Sequence, residues 1–228
     1  MNQLSHETSP YLLQHANNPV HWKAWNSDSL AEAMTQNKLI VISVGYSACH
    51  WCHVMEHESF EDDEVAQTMN THFINIKVDR EEHPNVDAIY MKAVQMMTGR
   101  GGWPLNIVAL PDGRPVWGGT YFRKDEWINT LEQLQNLYQS QPEKMLDYAE
   151  KLHQGIQAIS LVENKNTETK LSQELLKPLI EKWKKSFDWD FGGMARAPKF
   201  MMPNNYEFLL RYGYQNKDTE LLEFVNLT

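Results

Sequence analysis

The only two cysteines of the chain, Cys49 and Cys52, follow directly on the apolar run Leu39-Ile40-Val41-Ile42-Ser43-Val44. A continuous, largely β-branched run of this kind reads as a strand buried on both faces. Gly45-Tyr46-Ser47-Ala48 then turns the chain, and a helical pattern carrying Val54, Met55 and Phe60 starts at Cys49. A Cys-x-x-Cys placed where a strand hands over to a helix is reactive for a physical reason. The unpaired N–H groups and the dipole of the helix N-terminus stabilise a thiolate at the first cysteine. His50 and His53 add positive charge beside it when protonated. The expected chemistry is thiol–disulfide exchange: Cys49 attacks a disulfide, and Cys52, about one helical turn further on, resolves the mixed disulfide. Such chemistry needs no cofactor beyond the redox-active disulfide, and the residues between the cysteines, His50 and Trp51, tune its potential.

Two other readings of the same residues stay open. Cys49 and Cys52 with two of His15, His50, His53 and His57 have the donor types of a tetrahedral zinc site, although a second cysteine pair is missing. His53 and His57 lie four apart on one helix face, a spacing that an ordinary solvated face also produces. Alternatively, both thiols simply pack as small apolar side chains. The chain is then a binding module, its Trp22 and Trp25 arm docking a helical domain or another partner.

The rest of the chain sets this motif in an order of elements. Residues up to about 25 are rich in Pro, Asn, His and Trp without a period, and read as an irregular arm over a core. Asn26 to Ser29 supply caps for a helix reaching about Gln36. The helix from Cys49 continues to about Asn70 with a bend near Glu61-Asp62-Asp63. Phe73 to Val78 alternates as a strand, and Pro84 opens a helix through Tyr90 and Met97 that Gly99 ends. After Arg100-Gly101-Gly102 and Trp103-Pro104 comes the strand 105–110, then the turn Pro111-Asp112-Gly113-Arg114 and a shorter strand at Val116-Trp117. A helix from about Asp125 and another after Pro142 follow. The fold class is therefore α/β in the order β-α-β-α-β-β-α. The polar stretch 162–170 reads as a linker between a domain over 1–161 and an all-helical extension over 171–228. In that extension Leu175, Leu179, Trp183 and Phe187 recur every four residues, and Tyr206, Leu209 and Leu210 mark another helix.

Composition narrows the partners. The net charge is −9 and no Lys/Arg cluster stands out, which argues against nucleic acid. The longest apolar stretch is far too short to cross a bilayer, and the N-terminus lacks a basic start and an apolar segment, so a cytoplasmic protein without a membrane partner is expected. Its partners are then protein or small-molecule thiols and disulfides.

The blocks SPYLLQHANNPVHW (9–22), GYSACHWCHVMEHESFEDDEVA (45–66), KVDREEHPNVDAIYM (77–91), TGRGGWPLN (98–106) and PDGRPVWGGTYF (111–122) closely resemble the thioredoxin-domain family that includes spermatogenesis-associated protein 20. The resemblance covers about the first 125 residues. It implies a thioredoxin-like fold, a cis-proline at Pro104 facing the cysteines, and a substrate groove near Trp103 and Arg100. It also implies a large helical domain similar to the (α/α)-barrel of six-hairpin glycosidases, with FDWDFGGMARAPKF (187–200) as its beginning. Two departures stand out. Arg123-Lys124 replaces prolines usual after Tyr121-Phe122. Ser43 occupies the place, six residues before the first cysteine, where thioredoxin keeps a buried acid. Proton transfer to Cys52 then calls on another group, with Glu56, Glu58 and Asp79 as the candidates.

Overall fold

The computed structural model describes residues 1–160 and 173–228, so the expected linker 162–170 lies outside the described residues. The chain divides into two compact units, Met1–Glu163 and Asn164–Thr228.

The first unit is built on a five-stranded sheet in the order β1-β3-β2-β4-β5. Its strands are β1 (Trp22–Ala24), β2 (Leu39–Gly45), β3 (Phe73–Asp79), β4 (Leu105–Ala109) and β5 (Pro115–Gly119). β1, β3 and β2 run parallel, and β4 and β5 add as an antiparallel hairpin. This is a thioredoxin-like α/β arrangement with one strand more than the sequence pattern predicts. Three residues of the expected irregular arm, Trp22 to Ala24, pair with Asn75 to Lys77 and form the sheet's edge. A three-residue strand is too short to show a period, and its partner β3 supplies the register.

Helices cover both faces. α2 (Ser27–Gln36) starts where Asn26 Oδ1 accepts the amide N–H of Ser29 at 2.8 Å and ends on Asn37 in the left-handed region. α5 (Pro84–Thr98) has Pro84 in its first turn and Gly99 at φ 76° beyond its end, as the sequence predicts. These two helices pack on Ile40, Ile42, Val44, Ile74, Ile76 and Val78. The opposite face lies under α1 (Pro10–Gln14), α3 (His50–Met55), α4 (Asp63–His72) and α6 (Lys124–Ser140). Where a bend is expected near Glu61-Asp62-Asp63, the helix ends instead: a π-helical turn, Glu56–Phe60, follows α3, and Asp62 caps a new helix, α4. The hairpin and α7 (Pro142–Ser160) complete the unit.

Along β3 the alternation of apolar and polar residues would ordinarily send Asn75 and Lys77 to water. Every residue of β3 is instead buried, because the N-terminal arm lies over that face. Ser9 helps to hold the arm there: its hydroxyl caps α1 by accepting the Leu12 amide at 3.1 Å and donates to Asp79 Oδ2 at 2.6 Å. Ser9→Ala is therefore expected to lower stability by about 1–2 kcal/mol in urea denaturation. A change of only a few tenths would show that the arm is held elsewhere.

The second unit is helical: α8 (Lys177–Lys184), α9 (Pro203–Asn216) and α10 (Thr219–Leu227). The expected four-residue stripe is only partly realised. Leu175 lies in a 3-10 turn, Leu179 is exposed, and Phe187 sits beyond the end of α8 in a bridge to Met194. Ile180, Phe187, Leu209, Tyr212, Leu221 and Phe224 form the core instead, with Phe187 and Phe224 stacked at 4.0 Å. The stripe fails because α8 stops after eight residues, so Phe187 approaches the core from a loop. Leu210 is likewise half exposed, whereas Leu209 is buried.

Candidate active site

β2 ends at Gly45, a three-residue turn follows, and Cys49 becomes the N-cap of α3. Its Sγ accepts the Cys52 amide N–H at 3.2 Å. Cys49 and Cys52 form a disulfide with Cα atoms 5.3 Å apart, and both are buried, Cys52 the more deeply. The helix start thus directs an amide N–H and the positive end of its dipole at Cys49 sulfur.

The other expected site residues divide into neighbours and bystanders. Trp51 is half exposed, with its ring 5.3 Å from that of Tyr121 and 5.8 Å from that of His50. A cleft of about 290 Å³ is lined by Trp51, Gly101, Gly102, Trp103, Thr120 and Tyr121. Trp103 is held on two sides: its Nε1–H donates to Asp87 at 2.8 Å, and the Arg80 guanidinium lies 4.0 Å from its ring centroid while pairing with Asp87. The Trp103-Pro104 peptide bond is cis, and Pro104 is buried. Arg100 is an exposed loop residue outside the cleft lining.

The histidines do not gather around the sulfurs. His53 Nε2 bonds to the Ser47 carbonyl oxygen at 2.8 Å, and His57 pairs with Glu61 on the surface. His15 is buried in a separate cluster: its Nδ1 lies 2.9 Å from Asn18 Oδ1 and 3.0 Å from Glu56 Oε1, both acceptors, so Nδ1 carries the proton. Burial and the nearby Lys77 lower the His15 pKa to about 4, leaving a neutral ring. Among the described residues no three His, Cys, Asp or Glu side chains converge as metal ligands would.

Glu56, Glu58 and Asp79, the expected groups for proton transfer to Cys52, make no hydrogen bond to Ser43. Glu58 accepts from Tyr121 Oη at the surface, and Asp79 accepts from Ser9 and from the Glu81 amide. Glu56 is buried; burial raises its pKa, but hydrogen bonds from His15 and Asn18 outweigh it and leave the carboxyl below its usual value. The group that meets Ser43 is Lys77, whose Nζ donates to Ser43 Oγ at 3.1 Å. Its ammonium lies 4.3, 4.7 and 5.4 Å from the ring centroids of Phe60, Trp22 and Tyr11. Sequence reasoning missed Lys77 and Tyr11. The signal for Lys77 is a lone cation in a strand of a parallel sheet, whose two faces are ordinarily both covered.

Residues 1–157 match the family model for DsbH-type thioredoxins, described as "Protein of unknown function, DUF255". An uncharacterized protein of Caenorhabditis elegans is 42% identical over 224 residues, and spermatogenesis-associated protein 20 of Homo sapiens is 36% identical over 226. Each alignment covers 96% of this chain, and the chain spans about 30% of the length of these relatives. Among solved structures, a protein titled "DsbH Oxidoreductase" aligns at TM-score 0.41 and 15% identity, covering 60% of this chain and 96% of the other. A thioredoxin from Thermus thermophilus aligns at TM-score 0.41 and 16% identity, covering 51% and 87%.

Proposed function

The chain belongs to the DsbH-type thioredoxin family described as DUF255, and on that premise we propose that it is a thiol–disulfide oxidoreductase working through Cys49 and Cys52. The observation that carries this reading is the disulfide's position at the N-terminus of α3, directly after the central strand, with Cys49 as the cap. Cys49 is the nucleophile, because its sulfur faces the helix N-terminus that stabilises a thiolate. Cys52, set inside the first turn of α3, resolves the mixed disulfide. Substrates are disulfides or thiols of proteins or small molecules that approach the sulfurs by the cleft between Trp51, Trp103 and Tyr121, with Pro104 as the residue that shapes the substrate groove. The redox-active disulfide is the only cofactor this chemistry requires, and it suits a reducing compartment such as the cytoplasm, where cysteine pairs serve catalysis more than structure. The helical unit is proposed as the opening part of the all-helical, glycosidase-like domain that the resemblance implies, which makes a helical domain a candidate partner.

Equilibration in glutathione buffers of graded poise, followed by thiol trapping and mass measurement, tests the reading. Cys49 and Cys52 are expected to convert together from dithiol to disulfide in one reversible two-electron transition. Cysteines that never re-form the disulfide across the range would overturn it.

A further inference from the structure

Exchange through Cys49 and Cys52 leaves several buried polar groups without a task, and one of them borders the disulfide. Tyr11 of the N-terminal arm is fully buried, and its hydroxyl has no hydrogen-bond partner. A buried hydroxyl left unpaired is costly, so its position calls for an explanation. A methyl group built on Gly45 would collide with Tyr11 Oη and also with Cys52 Sγ, the latter at 2.7 Å. The phenol oxygen and the sulfur therefore border the same small gap beside Gly45, which the absence of a side chain there leaves open. The ring is fixed on its other sides, edge-on to His15 at 5.0 Å and with the Lys77 ammonium 5.4 Å from its centroid.

We propose that the Tyr11 hydroxyl is the hydrogen-bond donor that stabilises Cys52 Sγ when the disulfide opens, a role that rests on the redox reading above. In the step concerned, a thiolate of an incoming dithiol attacks Cys49 Sγ. A sulfur–sulfur bond to Cys49 forms, the Cys49–Cys52 bond breaks, and the electron pair departs on Cys52 Sγ. The second thiolate of the reagent then attacks its own mixed-disulfide sulfur and releases Cys49. The dithiol leaves as a disulfide, and water returns the two protons that its thiols gave up. Tyr11 keeps its proton throughout: burial, with Glu56 and Asp79 adding to it, holds the phenol pKa well above its ordinary value. It acts as a donor and not as a base. Hydrogen bonds to charged sulfur belong to the stronger class, so the developing thiolate gains more from this contact than the closed disulfide does.

Tyr11→Phe removes the oxygen and keeps the ring. The variant is expected to be opened by dithiothreitol about tenfold more slowly than the wild type. Its equilibrium with the same dithiol is expected to shift about tenfold toward the disulfide, which corresponds to about 30 mV. Thermal unfolding supplies the control for packing: Tm should be maintained or raised in the oxidised form, where the substitution removes an unpaired buried hydroxyl, and lowered in the reduced form. Equal rates and equilibria in variant and wild type would overturn the role of Tyr11, as would an equal loss of Tm in both forms. A wild-type disulfide that does not open and re-form at all would instead remove the redox reading on which the role stands.

Discussion

A Cys52→Ser variant is expected to stop turnover and hold its substrate, whereas Cys49→Ser stops turnover and holds nothing. The argument is one of position. Cys49 Sγ caps α3 and accepts the Cys52 amide N–H, so the thiolate that persists after reduction is favoured there. Cys52 lies one turn inside the helix and is the more buried of the two. When it is replaced, Cys49 still attacks a disulfide, but nothing resolves the product. When Cys49 is replaced, a hydroxyl far weaker than a thiolate occupies the attacking place. Both variants should lose about a hundredfold or more in catalysed reduction of a protein disulfide. Only Cys52→Ser should accumulate a one-to-one mixed disulfide, read by mass measurement under non-reducing conditions. The reverse pattern would exchange the roles, and full turnover by Cys52→Ser would mean that one thiol suffices.

The central strands and the cap at Asn26 are legible in the sequence because each rests on local signals: β-branched runs, helix-terminal residues and the glycine after α5. What escapes local reading is set by tertiary contact. β1 is three residues long and exists because β3 offers it an edge. In the second unit, a spacing of four predicts a continuous stripe, but α8 ends before Phe187 and the loop supplies that ring to the core.

The site divides along the same line. The cysteine pair and its helix are visible as a motif, and Trp51 and Trp103 follow from their nearness to it in the chain or from family resemblance. The cluster of Tyr11 on the arm, Ser43 on β2 and Lys77 on β3 is not, since it comes together only in the fold. No spacing rule joins residues so far apart. Ser43 in place of the usual acid points to a carboxylate elsewhere, whereas the residue meeting Ser43 is the cation Lys77.

Wild-type protein, kept oxidised, is expected to gain about 2–3 kcal/mol of stability between pH 7 and pH 9 that Lys77→Met does not gain. Lys77 is buried among Phe60, Trp22 and Tyr11, with Ser43 as its hydrogen-bond partner. Burial lowers its pKa to about 7, against the pull of Glu56 in the other direction. In the unfolded chain a lysine holds its proton to about pH 10. Between these values the unfolded state binds more protons than the folded one, so stability rises with pH from about 7 and levels off near 10. Each unit within that window is worth about 1.4 kcal/mol. Below pH 7 both states carry the proton, and the folded state bears the full cost of burying the ammonium. His15, neutral over the same range, and the Glu56 carboxylate, held below its usual value, remain in both proteins and cancel in the difference. Urea denaturation of both proteins at pH 7, 8 and 9 measures this directly. Parallel profiles would show that Lys77 keeps its charge in the folded state, held by the three ring faces and Glu56 against the burial that surrounds it.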